Sequence, residues 1–573
     1  IRFCDWSSDV CSSDLAKAGG PLAKLIRDRE RLVAERETND KLLLKAIGRG
    51  ERNATDEHRR RIAEIDAGLD KVEAELAEKF PDYSDLANPK PLALAEIQSL
   101  LSPDEALIVF SDMEKFRSLP GETLVWVVTR AAARERSIAL DSDALAGRVA
   151  TLRCGLDLAL WQDAATAKTC ASDLVQVHGP APGLLPFDLL RAYDLYRELL
   201  APDEDLIKGK HLLISPSGAL ATLPFGVLVT ERPQTAVPAA TAEYSQAAWL
   251  GTRQPISILP SPNALKALRR VAKASNATKP YLGVGNPTLV GDASERARAD
   301  AARKRQSCLT GMEARVTLGT DRKVASFNKL LRGAHADIEQ IRMASPLPET
   351  ADELCDVGQR LKVGDSDILL GARASETALK GMSETGRLAD YRFLHFATHG
   401  VLAGELRDTA EPGLLLTPPE KGTNAASSLE RDDGFLAASE IAALNLDSDW
   451  VILSACNTAG GTGDKVEALS GMARAFFYAG SRSLLVSHWA VDSQATVKLV
   501  VGAFAALAGE PDAPHAEVMR QSMLALVKAG GHEAHPAFWA PFVVVGADGK
   551  AVKRLASADP LTSAGTTAPV ARF

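Results

Sequence analysis

No apolar run long enough to cross a bilayer, about 18 residues, occurs in the 573-residue chain, so no membrane-spanning helix is expected. Cysteine is sparse, with 7 in all and no CxxC spacing, which argues against a structural zinc site and against a disulfide framework. A reducing cytoplasm is therefore the expected compartment. An excess of positive charge is also lacking: the net charge is -8, so nucleic acid is not expected as a ligand, and the Arg59-Arg60-Arg61 run reads as a solvated helix face. The order G-x-x-x-x-G-K-[ST] is missing although GGTGDK follows a strand-like run, and there is no G-x-S-x-G elbow, which excludes the standard phosphate loop and serine-hydrolase signatures. What remains, 46% hydrophobic and 24% charged residues with a mean hydropathy of -0.06, is the composition of an ordinary globular protein.

The first fifteen residues, IRFCDWSSDVCSSDL, have neither helical nor strand periodicity. They resemble the translation of a sequencing adapter, and the expectation is that residues 1–15 are non-native and carry no fold. Cys4 and Cys11 leave the count with them. Across residues 16–100 a helical hairpin or coiled-coil segment is expected, because Ile62, Ile65, Leu69, Val72 and Leu76 recur every three or four residues. Gly48-Arg49-Gly50 breaks that pattern into two antiparallel helices, and Pro81 closes the second. From 101 to 547 short apolar runs (ALIVF, TLVWVVT, HLLIS, YLGVG, YRFLHF, WVILS, SLLVS) alternate with helical stretches, which predicts an α/β fold with a mostly parallel sheet flanked by helices. Residues 548–573 are rich in Ala, Ser, Thr and Pro without periodicity, the pattern of a disordered tail.

Two of those runs end in reactive side chains. YRFLHFATHG carries His399 and Gly400 past its tip, and DWVILSACNTAGG carries Cys456 into a glycine-rich turn. Strand ends are where buried α/β sheets do chemistry, and backbone N–H groups in such a turn favour a thiolate and can stabilise an oxyanion. A neutral imidazole at a neighbouring strand end can take the thiol proton and return it to a leaving amine, and Gly400, without a Cβ, lets a carbonyl approach its N–H. Taken alone, Cys456 reads equally as a buried structural cysteine. His395 competes with His399. On a strand the two stand about 13 Å apart at about 3.3 Å per residue, too far to share a metal; on a helix they would face one zinc ion. The bulky run YRFLHF favours the strand, with His395 a hydrogen-bonded core residue.

Read together, HFATHG, LSACNTAGG, DDGFLAASEIAALNL, MARAFFYAGSRSLLVSHWAVDS, HPAFWAPFVVVG and LLISPSGALATLPFGVL resemble a CHAT domain. This is the caspase-like protease domain associated with tetratricopeptide repeats in bacteria, related to caspases, separases and gingipain-type peptidases. The core motifs run in order from 190 to 546. The helical pair and residues 101–190 also resemble segments that commonly precede this domain. The resemblance implies a caspase-haemoglobinase-like fold, His399 as catalytic base, Cys456 as nucleophile, and the N–H groups of Gly400 and Cys456 as oxyanion hole. It makes Ser487, His488 and Trp489 subsite residues. Many relatives carry Leu in place of His488 and Asp in place of Ser493, which touches the cleft rim and not the dyad. Asp432 and Asp433 read either as an acidic subsite floor favouring Arg or Lys or as turn residues. Trp489 and Trp539 also read as core aromatics. The implied activity is a cysteine endopeptidase acting on a protein or peptide, with no metal or organic cofactor, restrained by a protein partner sensed through the N-terminal helices or by repeats upstream. The alternative is a catalytically silent scaffold that works as a protein-interaction module.

Overall fold

The structure is a computed structural model, described here for residues 21–49, 51–81, 83, 91–115, 121–161, 164–175, 185–271, 275–308, 338–401, 411–419, 432–454, 467–489 and 493–547. Residues 1–15 and 548–573, the stretches expected to be non-native and disordered, lie outside this set. The chain forms two compact units, residues 1–88 with 275–493 and residues 89–274 with 494–573.

The first unit is built on a fully parallel five-stranded sheet, ordered Ser483–Ser487, Trp450–Leu453, Tyr391–Ala397, Lys279–Gly285, Ile368–Leu370. Nearly every position of the three strands carrying WVIL, SLLVS and YRFLHFA is buried, which is why their sequences read as unbroken apolar runs. Helix Pro348–Arg360 packs over the 279–285, 368–370 and 391–397 strands with Leu354 and Val357 fully buried. Glu467–Ala479 runs beside Ser483–Ser487. A small antiparallel sheet of Gly400–Val401, Gly413–Leu415 and Phe435–Ala437 continues from the end of the 391–397 strand.

The expected helical pair is present as Pro21–Arg49 and Arg52–Lys79. Ion pairs Arg29–Glu73, Arg36–Asp66 and Arg61–Glu35 step in opposite senses along the two helices, so they are antiparallel. Leu22, Leu25, Ile26, Ala46, Ile65 and Leu76 are buried apolar residues of the pair. The first helix packs against the short helix Ala438–Ile441 of the same unit, and Tyr83 meets Tyr478 edge to face at 5.2 Å.

In the second unit the sheet is mixed. Ala133–Ile138, Glu122–Thr129 and Glu105–Met113 form an antiparallel meander, followed in parallel by His211–Ser215, Ile256–Ile258 and Phe542–Val545. Two of the apolar runs, ALIVF and TLVWVVT, are thus antiparallel neighbours, with no helix between them among the described residues. Trp249, Trp539, Phe187, Tyr244 and His535 fill one end of this core. Trp539 is a core aromatic, fully buried.

The cysteines correct the sequence reading. Cys154 is joined to Cys170 and Cys308 to Cys355, each pair with Cα atoms 5.4 Å apart and separated by 16 and 47 residues in the chain. Scattered spacing hid them because a disulfide depends on proximity in the fold and not on intervals in sequence. Cysteine usage therefore no longer argues for a reducing compartment. A non-reducing digest read by mass spectrometry is expected to yield the 154/170 and 308/355 peptides as linked pairs that separate on reduction. Free thiols at these four positions in the protein as purified without reductant would refute the pairing.

Candidate functional site

His399 lies just beyond the 391–397 strand and is 8% exposed. Its position is fixed on both sides in the chain. Leu415 N–H donates to the His399 carbonyl at 2.9 Å, and the neighbouring Thr398 hydroxyl donates to the Leu415 carbonyl. Below it, Val401, Leu415 and Phe435 pack with Leu289, Ile341 and Ala344.

The imidazole is oriented by a backbone atom. His399 Nε2 stands 2.7 Å from the Ser345 carbonyl oxygen. A carbonyl only accepts, so Nε2 carries the proton, and in the neutral ring the lone pair sits on Nδ1. This is the tautomer a general base needs when a second group holds its far nitrogen. Ser345 is itself held: its hydroxyl donates to Glu295 Oε1 at 2.7 Å, and Glu295 Oε2 accepts from Asp292 N–H at 3.1 Å in a capping box.

Cys456 lies outside the described residues, as does the glycine-rich turn that follows it. The strand leading to it is described to Ser454, and its register is informative. Trp450–Leu453 pairs in parallel with Tyr391–Ala397 so that Leu453 faces Phe396, and Ser454 N–H donates to the Phe396 carbonyl at 3.1 Å. His399 follows Phe396 by as many residues as Cys456 follows Leu453. The two strands therefore end side by side, at the edge where open parallel sheets collect function. Gly400, half-buried, pairs with Leu414 in the small sheet.

His395 sits within the strand and is fully buried, with Tyr281 on one ring nitrogen and Ser454 and Glu353 on the other. The helical H-x-x-x-H metal reading thus falls. Among the described residues no three His, Cys, Asp or Glu side chains gather as a metal site.

Asp432 and Asp433 lie on the loop entering Phe435–Ala437. Asp432 Oδ2 accepts from the Thr377 N–H at 3.1 Å and hydroxyl at 2.7 Å, while its Oδ1 is buried without a hydrogen-bond partner among the described residues. Asp433 Oδ1 accepts from Phe435 N–H at 2.9 Å, an Asx-type turn. Gly434, at φ +87°, completes it, and a Cβ there would stand 2.9 Å from Pro418 Cα. The loop is pinned from below by Glu376 Oε1, which accepts from the Asp433 and Gly434 N–H groups at 3.0 and 2.6 Å. Burial, with Glu440 close by, pushes the Glu376 carboxyl well above the usual carboxylate range, and Lys380 at 2.6 Å opposes that rise.

Ser487, His488 and Trp489 close the Ser483–Ser487 strand beside the one leading to Cys456, and all three are buried. The carbonyl of Ser345, the Glu295 that holds it, and the Tyr281, Glu353 and Ser454 partners of His395 were not found by sequence reasoning. A backbone carbonyl has no residue signature, and only Tyr281, opening YLGVG, and Ser454, within LSAC, lay in stretches already singled out.

The chain belongs to the CHAT domain family, which it matches over residues 190–547. No curated protein matches it by sequence. Among solved structures it is similar to a chain of the Saccharomyces cerevisiae separase–securin complex at 3.0 Å resolution, with 10% identity, a TM-score of 0.37, and coverage of 81% of this chain and 30% of that one. A second crystal structure of the same complex, at 2.6 Å, gives 11% identity, a TM-score of 0.32 and coverage of 86% and 33%. This chain therefore spans about a third of the length of those neighbours.

Proposed function

We propose that this CHAT protein is a caspase-like cysteine endopeptidase with a His399/Cys456 dyad. The observation that carries the reading is the parallel register of the two strands, Phe396 opposite Leu453, which ends the strands preceding His399 and Cys456 side by side. The Ser345 carbonyl on His399 Nε2 supports it by leaving Nδ1 free of its proton. In the reaction His399 Nδ1 takes the proton of the Cys456 thiol, and the thiolate sulfur bonds to the carbonyl carbon of a peptide. The oxyanion so formed is held by the N–H groups of Gly400 and Cys456. The tetrahedral species collapses as His399 returns its proton to the departing amine, leaving a thioester. Water, deprotonated by the same imidazole, then releases the acid and restores the thiol. The Ser345 carbonyl dipole stabilises the imidazolium between these steps.

No metal or organic cofactor enters the chemistry. The substrate is another protein, entering past the 432–433 loop and the Ser487–Trp489 strand end, with Asp433, Ser487, His488 and Trp489 as the subsite residues. A basic P1 side chain would satisfy Asp432 Oδ1. Regulation by a protein partner is assigned to the N-terminal helical hairpin, because its first helix packs on Ala438–Ile441, the helix that directly follows the loop and its strand.

The test is cleavage of a diverse peptide library by the chain from Ala16 onward, beside a Cys456→Ala control, with products read by mass spectrometry. Cuts that require Cys456 support the peptidase and give its P1 preference. Uncut libraries, with Cys456 also inert toward a peptidyl electrophile, would instead support the silent scaffold.

A further inference from the structure

Directly beneath the two exit points lies a buried polar network that the dyad chemistry does not use. It joins four elements of the first unit: Tyr281 of the 279–285 strand, Glu353 of the 348–360 helix, His395 of the 391–397 strand, and Ser454 at the end of the 450–453 strand. Tyr281 and His395 are fully buried and Glu353 is 2% exposed. Only Ser454 is half-buried.

The donors run in one direction. Ser454 Oγ gives its single proton to Glu353 Oε1 at 2.6 Å. His395 Nε2, 3.0 Å from Ser454 Oγ and 3.1 Å from Glu353 Oε1, must then donate toward them. His395 Nδ1 accepts from the Tyr281 hydroxyl at 2.9 Å, a phenol that burial keeps protonated by raising it well above its ordinary value. Although a serine, a histidine and an acid meet here, they do not form a hydrolytic triad. The acid holds the serine and not the far nitrogen of the histidine, and the histidine has no exposure through which a substrate could reach it.

Leucine and valine would fill the same space without desolvating a carboxylate, so the network is not explained by stability. What it supplies is a single allowed arrangement. Ser454, close before Cys456, is tied to His395, close before His399, and both are tied to a helix that the Cys308–Cys355 disulfide also anchors two residues beyond Glu353. We propose that Tyr281, Glu353, His395 and Ser454 are positioning residues that lock the ends of the 391–397 and 450–453 strands to one register, so that His399 and Cys456 meet. This rests on the peptidase reading above.

Two arms test it. In the first, Ser454→Ala and Ser454→Thr are assayed on a peptide that the wild-type chain cuts. Ser454→Ala is expected to lower kcat on the order of 10²-fold, the cost of a small misplacement of reacting groups, with KM within about twofold, whereas Ser454→Thr, which keeps the hydroxyl, recovers most of the rate. In the second, amide hydrogen exchange is followed at residues 394–397 and 452–454, where Ser454→Ala and Glu353→Gln are expected to lose protection while the helical hairpin does not. An unchanged kcat in Ser454→Ala, or unchanged exchange at both strand ends, overturns the proposal. Should the wild-type chain show neither Cys456-dependent cleavage nor reaction of Cys456 with a peptidyl electrophile, the peptidase reading fails by itself, and the exchange arm still decides whether the network locks the strands.

Discussion

In His399→Ala, Cys456-dependent peptide cleavage is expected to fall about 10³-fold, equivalent to about 4 kcal/mol of lost transition-state stabilisation. A free cysteine thiol has a pKa near about 8.5 and is only a few per cent thiolate at neutral pH. Without an imidazole to accept its proton and later protonate the amine, both halves of the reaction lose their proton carrier, each loss being worth about 10²- to 10⁴-fold. The shape of the pH profile identifies the cause. The variant's kcat/KM should climb with pH toward the ordinary thiol pKa, because hydroxide now does the work of the base, while the wild type is level well below it. KM should change little, since the imidazole is hydrogen-bonded to the Ser345 carbonyl and its proposed role is proton transfer at the reacting centre rather than binding the remote parts of the peptide. A variant within tenfold of wild type, with the same pH profile, would remove His399 from the dyad and leave the CHAT fold without its assigned base.

The strands that lead to His399 and Cys456 are legible in the amino-acid sequence because each is a continuous apolar run. YRFLHFA and WVIL read as buried strands because a sheet covered on both faces demands such runs. The break at Gly48-Arg49-Gly50 marks the turn between the helices, which end at Arg49 and resume at Arg52. The register of Phe396 against Leu453 is not legible, since pairing between parallel strands is set by the packing of helices over the sheet and leaves no local motif. Nor is the Ser345 carbonyl, contributed from 54 residues away in the chain. The Glu353–Ser454 contact spans 101 residues, and Cys308–Cys355 spans 47. In the second unit the exposed and half-buried alternation of Ala133–Ile138 is an edge-strand pattern. It sits in ARERSI, too charged to stand out beside the apolar runs. Residues that act through their side-chain type can be found in the sequence, and those that act through a backbone atom or a long-range partner cannot.

The second large effect concerns pH and the core of the other unit. His535 is fully buried, with its ring 4.7 Å from that of Tyr244 in an edge-on contact. Its Nε2 donates to the Leu185 carbonyl at 2.9 Å, and its Nδ1 accepts from the Ala537 N–H at 3.1 Å. A charged imidazole would have to donate from both nitrogens, and Nδ1 already faces a donor. Burial pushes the group down to about 4, the Leu185 bond opposing it only in part. The unfolded chain, with a histidine near about 6.5, takes up a proton as pH falls below that value, and the folded chain does not until about 4. Stability from this residue is therefore complete above about pH 6.5 and is lost as pH falls toward 4, by about 3 kcal/mol over the whole interval. The check is urea unfolding followed by tryptophan fluorescence, with Trp249 and Trp539 in the same cluster, for the wild type and His535→Gln at pH 7, 5.5 and 4.5. Other groups titrate over this range in both proteins and cancel in the difference. The variant should be the weaker at pH 7, and the gap should narrow by most of that amount on acidification. A gap that stays constant would mean that His535 is protonated in the folded chain, which its two hydrogen bonds do not allow.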